Sequence, residues 1–151
     1  MERLINQCRK KFLLIIKLLV LSVGFSIAEI QADIVVVVHP DNPITSLTKK
    51  DVKRLFLGRM HNFPNSDIKV ESIDHAEGSA DYDKFYSSII NMNKSKLKRY
   101  RAYYLFSGKG RLPTQIKTAS KVLKYIANTK NAIAYIDKKN ITDSVKVVYV
   151  D

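Results

Sequence analysis

The chain has 151 residues, of which 46% are hydrophobic and 26% charged, with a formal net charge of +12. That balance is the composition of a folded protein of one domain and excludes a disordered or low-complexity chain. A single cysteine among 151 residues also excludes a disulfide scaffold.

At the amino terminus Arg3, Arg9, Lys10 and Lys11 form a basic opening, and LLVLSVGFSIA, residues 18–28, forms an apolar core followed by small residues. The pattern predicts a secretory signal peptide over residues 1–32, cleaved after Ala28 or Ala32. Lys17 interrupts the apolar run, and the remainder falls short of the roughly 20 residues that cross a bilayer, so no stable membrane span is expected after cleavage. Cys8 precedes the apolar core, whereas the lipidated cysteine of a lipoprotein follows it. A mature chain from Asp33 then has no cysteine and no thiolate metal site, which suits a periplasmic or otherwise exported location. Residues 1–32 hold five Lys or Arg and two Glu, a net +3, which leaves +9 of the +12 on residues 33–151. Such a surface favours anionic partners.

The remaining chain alternates strand and helix patterns. Ile34 to Val38 is a β-branched run that suits a strand buried on both faces. Thr48 to Leu57 predicts a helix. Thr48 and Asp51 resemble a capping box, Leu47 and Val52 a hydrophobic staple, and Gly58 a stop, with Val52, Leu55 and Phe56 inward. After a turn-rich His61–Asn65, alternation at Ile68, Val70 and Ser72 predicts a second strand. It leads into DHAEGSADYDKF, residues 74–85, and then into a helix with Tyr82, Phe85, Tyr86, Ile89 and Ile90 at core spacing.

A third helix is expected over Ser95–Phe106, with Leu97, Tyr100, Tyr104 and Leu105 inward. Its Lys94, Lys96, Lys98, Arg99 and Arg101 interleave with tyrosines, but a charge run on a helix reads as a solvated face, and export argues against a nucleic-acid partner. The Ser107-Gly108-Lys109-Gly110 stretch that follows lacks the earlier glycine and the Ser or Thr of a phosphate loop. Thr114 is expected to cap a fourth helix with Ile116, Ala119, Leu123 and Ile126 on one side. Strands over Ala132–Ile136 and Val145–Val150 finish the chain. Strands separated by helices imply an α/β fold whose sheet has about four or five mostly parallel strands flanked by helices.

Four stretches in order, VVVVHPDNPITSLTKKDVKRLFLGRMHNF, DHAEGSADYDKF, FSGKGRLP and NAIAYID, resemble the second-lobe segment of the phosphate-binding periplasmic proteins of ABC transporters, the type 2 periplasmic binding protein class. The similarity runs from about Ile34 to Ile136. It implies a single periplasmic-binding-protein-like lobe over residues 33–151, a phosphate or similar oxyanion as ligand, and a transporter permease or another envelope protein as partner.

In that family a turn of the form Arg-x-Asp-Gly-Ser-Gly-Thr contacts phosphate. Gly78 and Ser79 match its Gly-Ser, Glu77 its acid, while His75 stands in place of the arginine, Ala80 of the second glycine and Asp81 of the threonine. The resemblance therefore implies an anion site at His75, Gly78, Ser79, Ala80 and Asp81.

Physical chemistry supports two readings of this site. The first turn of a helix offers unpaired N–H groups and a partial positive charge, and Gly78 lets a ligand approach. Equally, Ser79 suits an ordinary N-cap and Asp81 a favourable first-turn acid that repels phosphate. The chain is also short for a two-lobed binder, and one lobe presents an open, weak half-site. Besides oxyanion binding, an envelope interaction module that keeps the fold without the ligand fits these residues. His39, His61 and His75 lack metal-ligand spacing, and no G-x-S-x-G elbow surrounds a serine, so neither catalysis nor a cofactor is expected.

Overall fold

The computed structural model describes residues 33–108 and 111–150. The expected signal peptide over residues 1–32 lies outside the described residues, as does the Lys109-Gly110 pair of the rejected phosphate loop.

Five strands form one sheet: β1 (Ile34–Val38), β2 (Glu71–His75), β3 (Thr114–Ile116), β4 (Ala132–Asp137) and β5 (Lys146–Val150), in the spatial order β3-β2-β4-β1-β5. β2 pairs in parallel with β3 and β4, and β1 pairs antiparallel with β4 and β5. Four strands therefore share one direction and β1 alone opposes them, the α/β architecture that the alternating pattern predicts.

β1 and β4 are buried throughout, because helices cover both faces of the sheet. The two-residue period divides their side chains between two cores. Val36, Val38, Ile133 and Tyr135 face one side, with α1 (Lys49–Phe56), α2 (Ala80–Lys84) and α3 (Lys94–Phe106). Val35, Val37, Ala134 and Ile136 face the other, against Val122 and Ile126 of α4 (Ala119–Asn128).

The capping box on α1 forms as expected: the Asp51 N–H donates to Thr48 Oγ1 at 3.2 Å and the Thr48 N–H to Asp51 Oδ2 at 3.3 Å. Leu47 and Val52 are both buried, as a staple requires. Gly58, at φ +71°, follows the helix, and a Cβ placed there would lie 2.6 Å from the Arg111 carbonyl oxygen. The position thus needs glycine for conformation and for space.

Three local expectations are corrected. The second strand begins at Glu71 rather than near Ile68, because Lys69 bridges back to Asn62 and the Val70 N–H donates to His61 O. Asp74 and His75 are in consequence strand residues. Thr114 opens β3 instead of capping a helix: it pairs with Ile73, and the helix starts only at Ala119 after Thr118. On α3, Leu97 is buried, but Leu105 is 58% exposed.

Candidate functional site

Every residue of the expected anion site lies at the carboxyl end of β2 or just beyond it. From His75 the chain turns through Ala76-Glu77-Gly78-Ser79, closed by the Ser79 N–H donating to Ala76 O at 3.1 Å. Gly78, at φ +83°, occupies the third turn position, where a type II turn needs a left-handed backbone. Nothing lies within 4 Å of a Cβ built on Gly78. Its glycine serves the turn, and the space above it is open.

Ser79 is the N-cap of α2, its Oγ accepting from the Tyr82 N–H at 3.4 Å. Ala80 and Asp81 occupy the next two positions, whose N–H groups have no partner inside a helix. α2 runs on into a π-helical turn, Phe85–Ile89, in which the Ile90 N–H reaches Phe85 O at 3.1 Å. The wider turn lets Phe85, Tyr86, Ile89 and Ile90 all enter the core, as the spacing predicts.

His75 sits behind this turn and only 3% exposed. Its Nε2 lies 2.8 Å from the Tyr135 carbonyl oxygen. A carbonyl only accepts, so Nε2 carries the proton and a neutral ring leaves Nδ1 as a lone pair. Nδ1 faces Asp81 Oδ2 at 3.9 Å, too long for a hydrogen bond and an ion pair only when the ring is protonated. The Asp81 side chain is 18% exposed. Lys139, beyond β4, salt-bridges Asp137 at 2.9 Å, and its pKa is raised by that hydrogen bond and charge, with a smaller contribution from Asp81. The mouth therefore brings together helix-start donors, an acid and a nearby cation.

The structure also shows a buried polar cluster that the sequence reading did not single out. Asp74 has no exposed surface. The Tyr135 hydroxyl donates to its Oδ1 at 2.9 Å, the Tyr86 hydroxyl to its Oδ2 at 3.0 Å, and Arg101 Nη2 to Oδ2 at 2.6 Å. Arg101 also donates to the Tyr82 hydroxyl at 2.9 Å and lies over the rings of Tyr82 and Tyr86. Three groups donating to one carboxyl favour its ionised form.

Burial nevertheless pushes the Asp74 carboxyl above its usual range, against the pull of Arg101 and the three donors. Burial likewise raises the phenols: Tyr82 is pushed up to about 12, and Tyr86 and Tyr135 are raised further by the charge on Asp74. Arg101 keeps its charge, because the surrounding Tyr86, Asp74 and Tyr82 more than offset its own burial. One signal could have found it: Arg101 stands four residues after Leu97 and three before Tyr104, on the inward face of α3.

This arrangement is the fold of one lobe of several solved phosphate-binding proteins of ABC transporters. The structures it is similar to include an ABC-type phosphate transport receptor from Vibrio cholerae, with a TM-score of 0.63 and 17% identity. They also include a protein described as a phosphate ABC transporter substrate-binding protein from Clostridium perfringens, solved with bound phosphate, at 0.62 and 20%. PstS from Borrelia burgdorferi is similar at 0.59 and 16%. Each match covers 77% of this chain but only 45%, 44% and 46% of the other chain, respectively. The chain thus spans less than half the length of the structures it matches, one lobe of them. No protein-family model matches, and no curated protein matches in sequence.

Proposed function

We propose that this chain is an exported binding protein for phosphate or a closely related oxyanion, acting through the turn and helix start at Gly78–Asp81. The observation that carries the reading is the Gly-Ser turn itself: in a lobe with the fold of phosphate-binding proteins, it closes β2, opens onto free space and starts a helix. The Ser79 hydroxyl and the N–H groups of Ala80 and Asp81 are the donors an anion would meet.

His75 supports the site from behind through Tyr135, instead of reaching out as an arginine would. Asp81 then sets the selectivity. Its carboxylate repels a bare dianion but accepts a hydrogen bond from an oxyanion that carries a proton. Hydrogen phosphate carries one near neutral pH and sulfate does not. The site is a binder's, with reversible donors and one acceptor, and the similar solved structures are likewise binding proteins. Delivery to a transporter permease is the role that fits an exported lobe of this kind.

Titration calorimetry on the wild type and on Asp81→Thr tests this. The expected result is heat with phosphate at about millimolar ligand, weak because the half-site is open, and less with sulfate. Asp81→Thr should admit sulfate and narrow the preference. Absence of heat with either anion in both proteins would contradict the reading.

The second reading, an envelope interaction module that has lost its ligand, is favoured by the use of Ser79 Oγ as a cap and by the Asp81 carboxylate at the helix start. It expects silence in the same titrations.

A further inference from the structure

The strongest charge asymmetry in the chain lies outside the candidate site. From Lys84 to Ile136 there are twelve Lys or Arg and not one Asp or Glu. α3 sits in the middle of this stretch and is held to the rest of the fold through its first two turns. Leu97 is buried, the Tyr100 hydroxyl donates to Leu57 O at 2.9 Å, and Arg101 reaches Asp74. The last turn projects. Phe106 is 92% exposed, Tyr103 68% and Leu105 58%, an apolar end on a helix whose other side is anchored. Soluble surfaces seldom gather three such side chains.

Arg99, Ala102, Tyr103 and Phe106 recur at i, i+3, i+4 and i+7 on the face away from Leu97, and all four are exposed. Exposed Lys96 and Lys98 lie one to two turns back from the apolar end. An apolar tip with a basic collar matches the layering of an anionic bilayer, where acyl chains lie below a plane of phosphates. A nucleic acid would satisfy the cations but leave Leu105 and Phe106 in water.

We propose that the end of α3 docks on an anionic lipid surface, with Tyr103, Leu105 and Phe106 entering the headgroup boundary and Lys96, Lys98 and Arg99 meeting lipid phosphates. The contact is peripheral: no helix among the described residues is long and apolar enough to cross a membrane.

The sequence contains no tryptophan, so a Phe106→Trp variant of the full chain carries one indole that reports this position whatever residues 1–32 do. With vesicles of phosphatidylcholine and phosphatidylglycerol at three to one, its emission should shift to the blue and be quenched by brominated acyl chains. On phosphatidylcholine alone, or after Lys98→Glu with Arg99→Glu, the apparent partition should fall at least about tenfold. These residues are exposed, so an unchanged melting curve confirms that each variant is folded. Emission that stays solvent-like on the anionic vesicles overturns the proposal, even where the chain sediments with them. A shift of equal size on neutral vesicles, or one produced only by an acidic protein, does so too.

Discussion

Asp74 and Arg101 illustrate what a buried charge requires of its neighbours. The carboxyl has no contact with water, and Tyr86, Tyr135 and Arg101 all donate to it, favouring the ionised form that burial opposes. Removing one partner leaves the other uncompensated, so Arg101→Met should destabilise the protein by about 3 kcal/mol or more. Adding Asp74→Leu to that variant should recover part of the loss, a coupling that a double-mutant cycle in urea measures directly. Simple additivity of the two would refute the account of the cluster.

The same burial sets an alkaline limit. Tyr82 titrates near 12 in the folded protein and at its ordinary 10.0 when unfolded, with Tyr86 and Tyr135 raised in the same direction. Between those values the unfolded state has released protons that the folded state still holds. The stabilisation is therefore complete below pH 10 and is lost as pH rises through the folded values. Chemical denaturation at pH 9, 10, 11 and 12 should show little change up to pH 10 and falling stability beyond it, and a flat profile from pH 10 to 12 would contradict it.

Among the elements, the β2–turn–α2 unit places the candidate site, and α1 shows how closely local chemistry can dictate structure. Its capping box, staple and stop residue all form where the residue types predict. Gly58 is the strictest of these, since its left-handed backbone and the 2.6 Å approach of Arg111 O both exclude a side chain. Gly58→Ala should lower stability by about 1–2 kcal/mol or more. Gly78→Ala meets only the conformational part of that cost, because no atom crowds it. Equal losses in thermal melts of the two variants would remove the steric argument.

Residues 113–118 take a structure that their local chemistry does not dictate. Pro113-Thr114 has the form of a helix start, yet Thr114–Ile116 is taken up as an edge strand because β2 offers it a parallel partner. Pairing with a distant segment leaves no mark in local sequence. For the same reason Asp74 reads as part of a turn when it is the buried end of a strand.

For the whole molecule, the sequence carried four of the sheet's five strands, the order of its helices and the position of the Gly-Ser turn, because each depends on periodicity or turn chemistry within a few residues. The Asp74–Arg101 cluster joins positions 27 residues apart and could be suspected only from the inward phase of Arg101 on its helix. Leu105 misled for the converse reason: its apolar side chain belongs to the projecting end of α3, where nothing in the described fold covers it. The molecule is one α/β lobe with a basic, acid-free central stretch, a candidate oxyanion mouth at the carboxyl end of β2 and an exposed apolar tip on α3, proposed above to meet lipid.

The mouth is the central claim, and amide chemical shifts followed by NMR during a phosphate titration test it most directly. The account predicts that the perturbations centre on Gly78, Ser79, Ala80, Asp81 and Tyr82 and saturate. Shifts confined to the exposed lysines of α3, or none at these five amides, would contradict it.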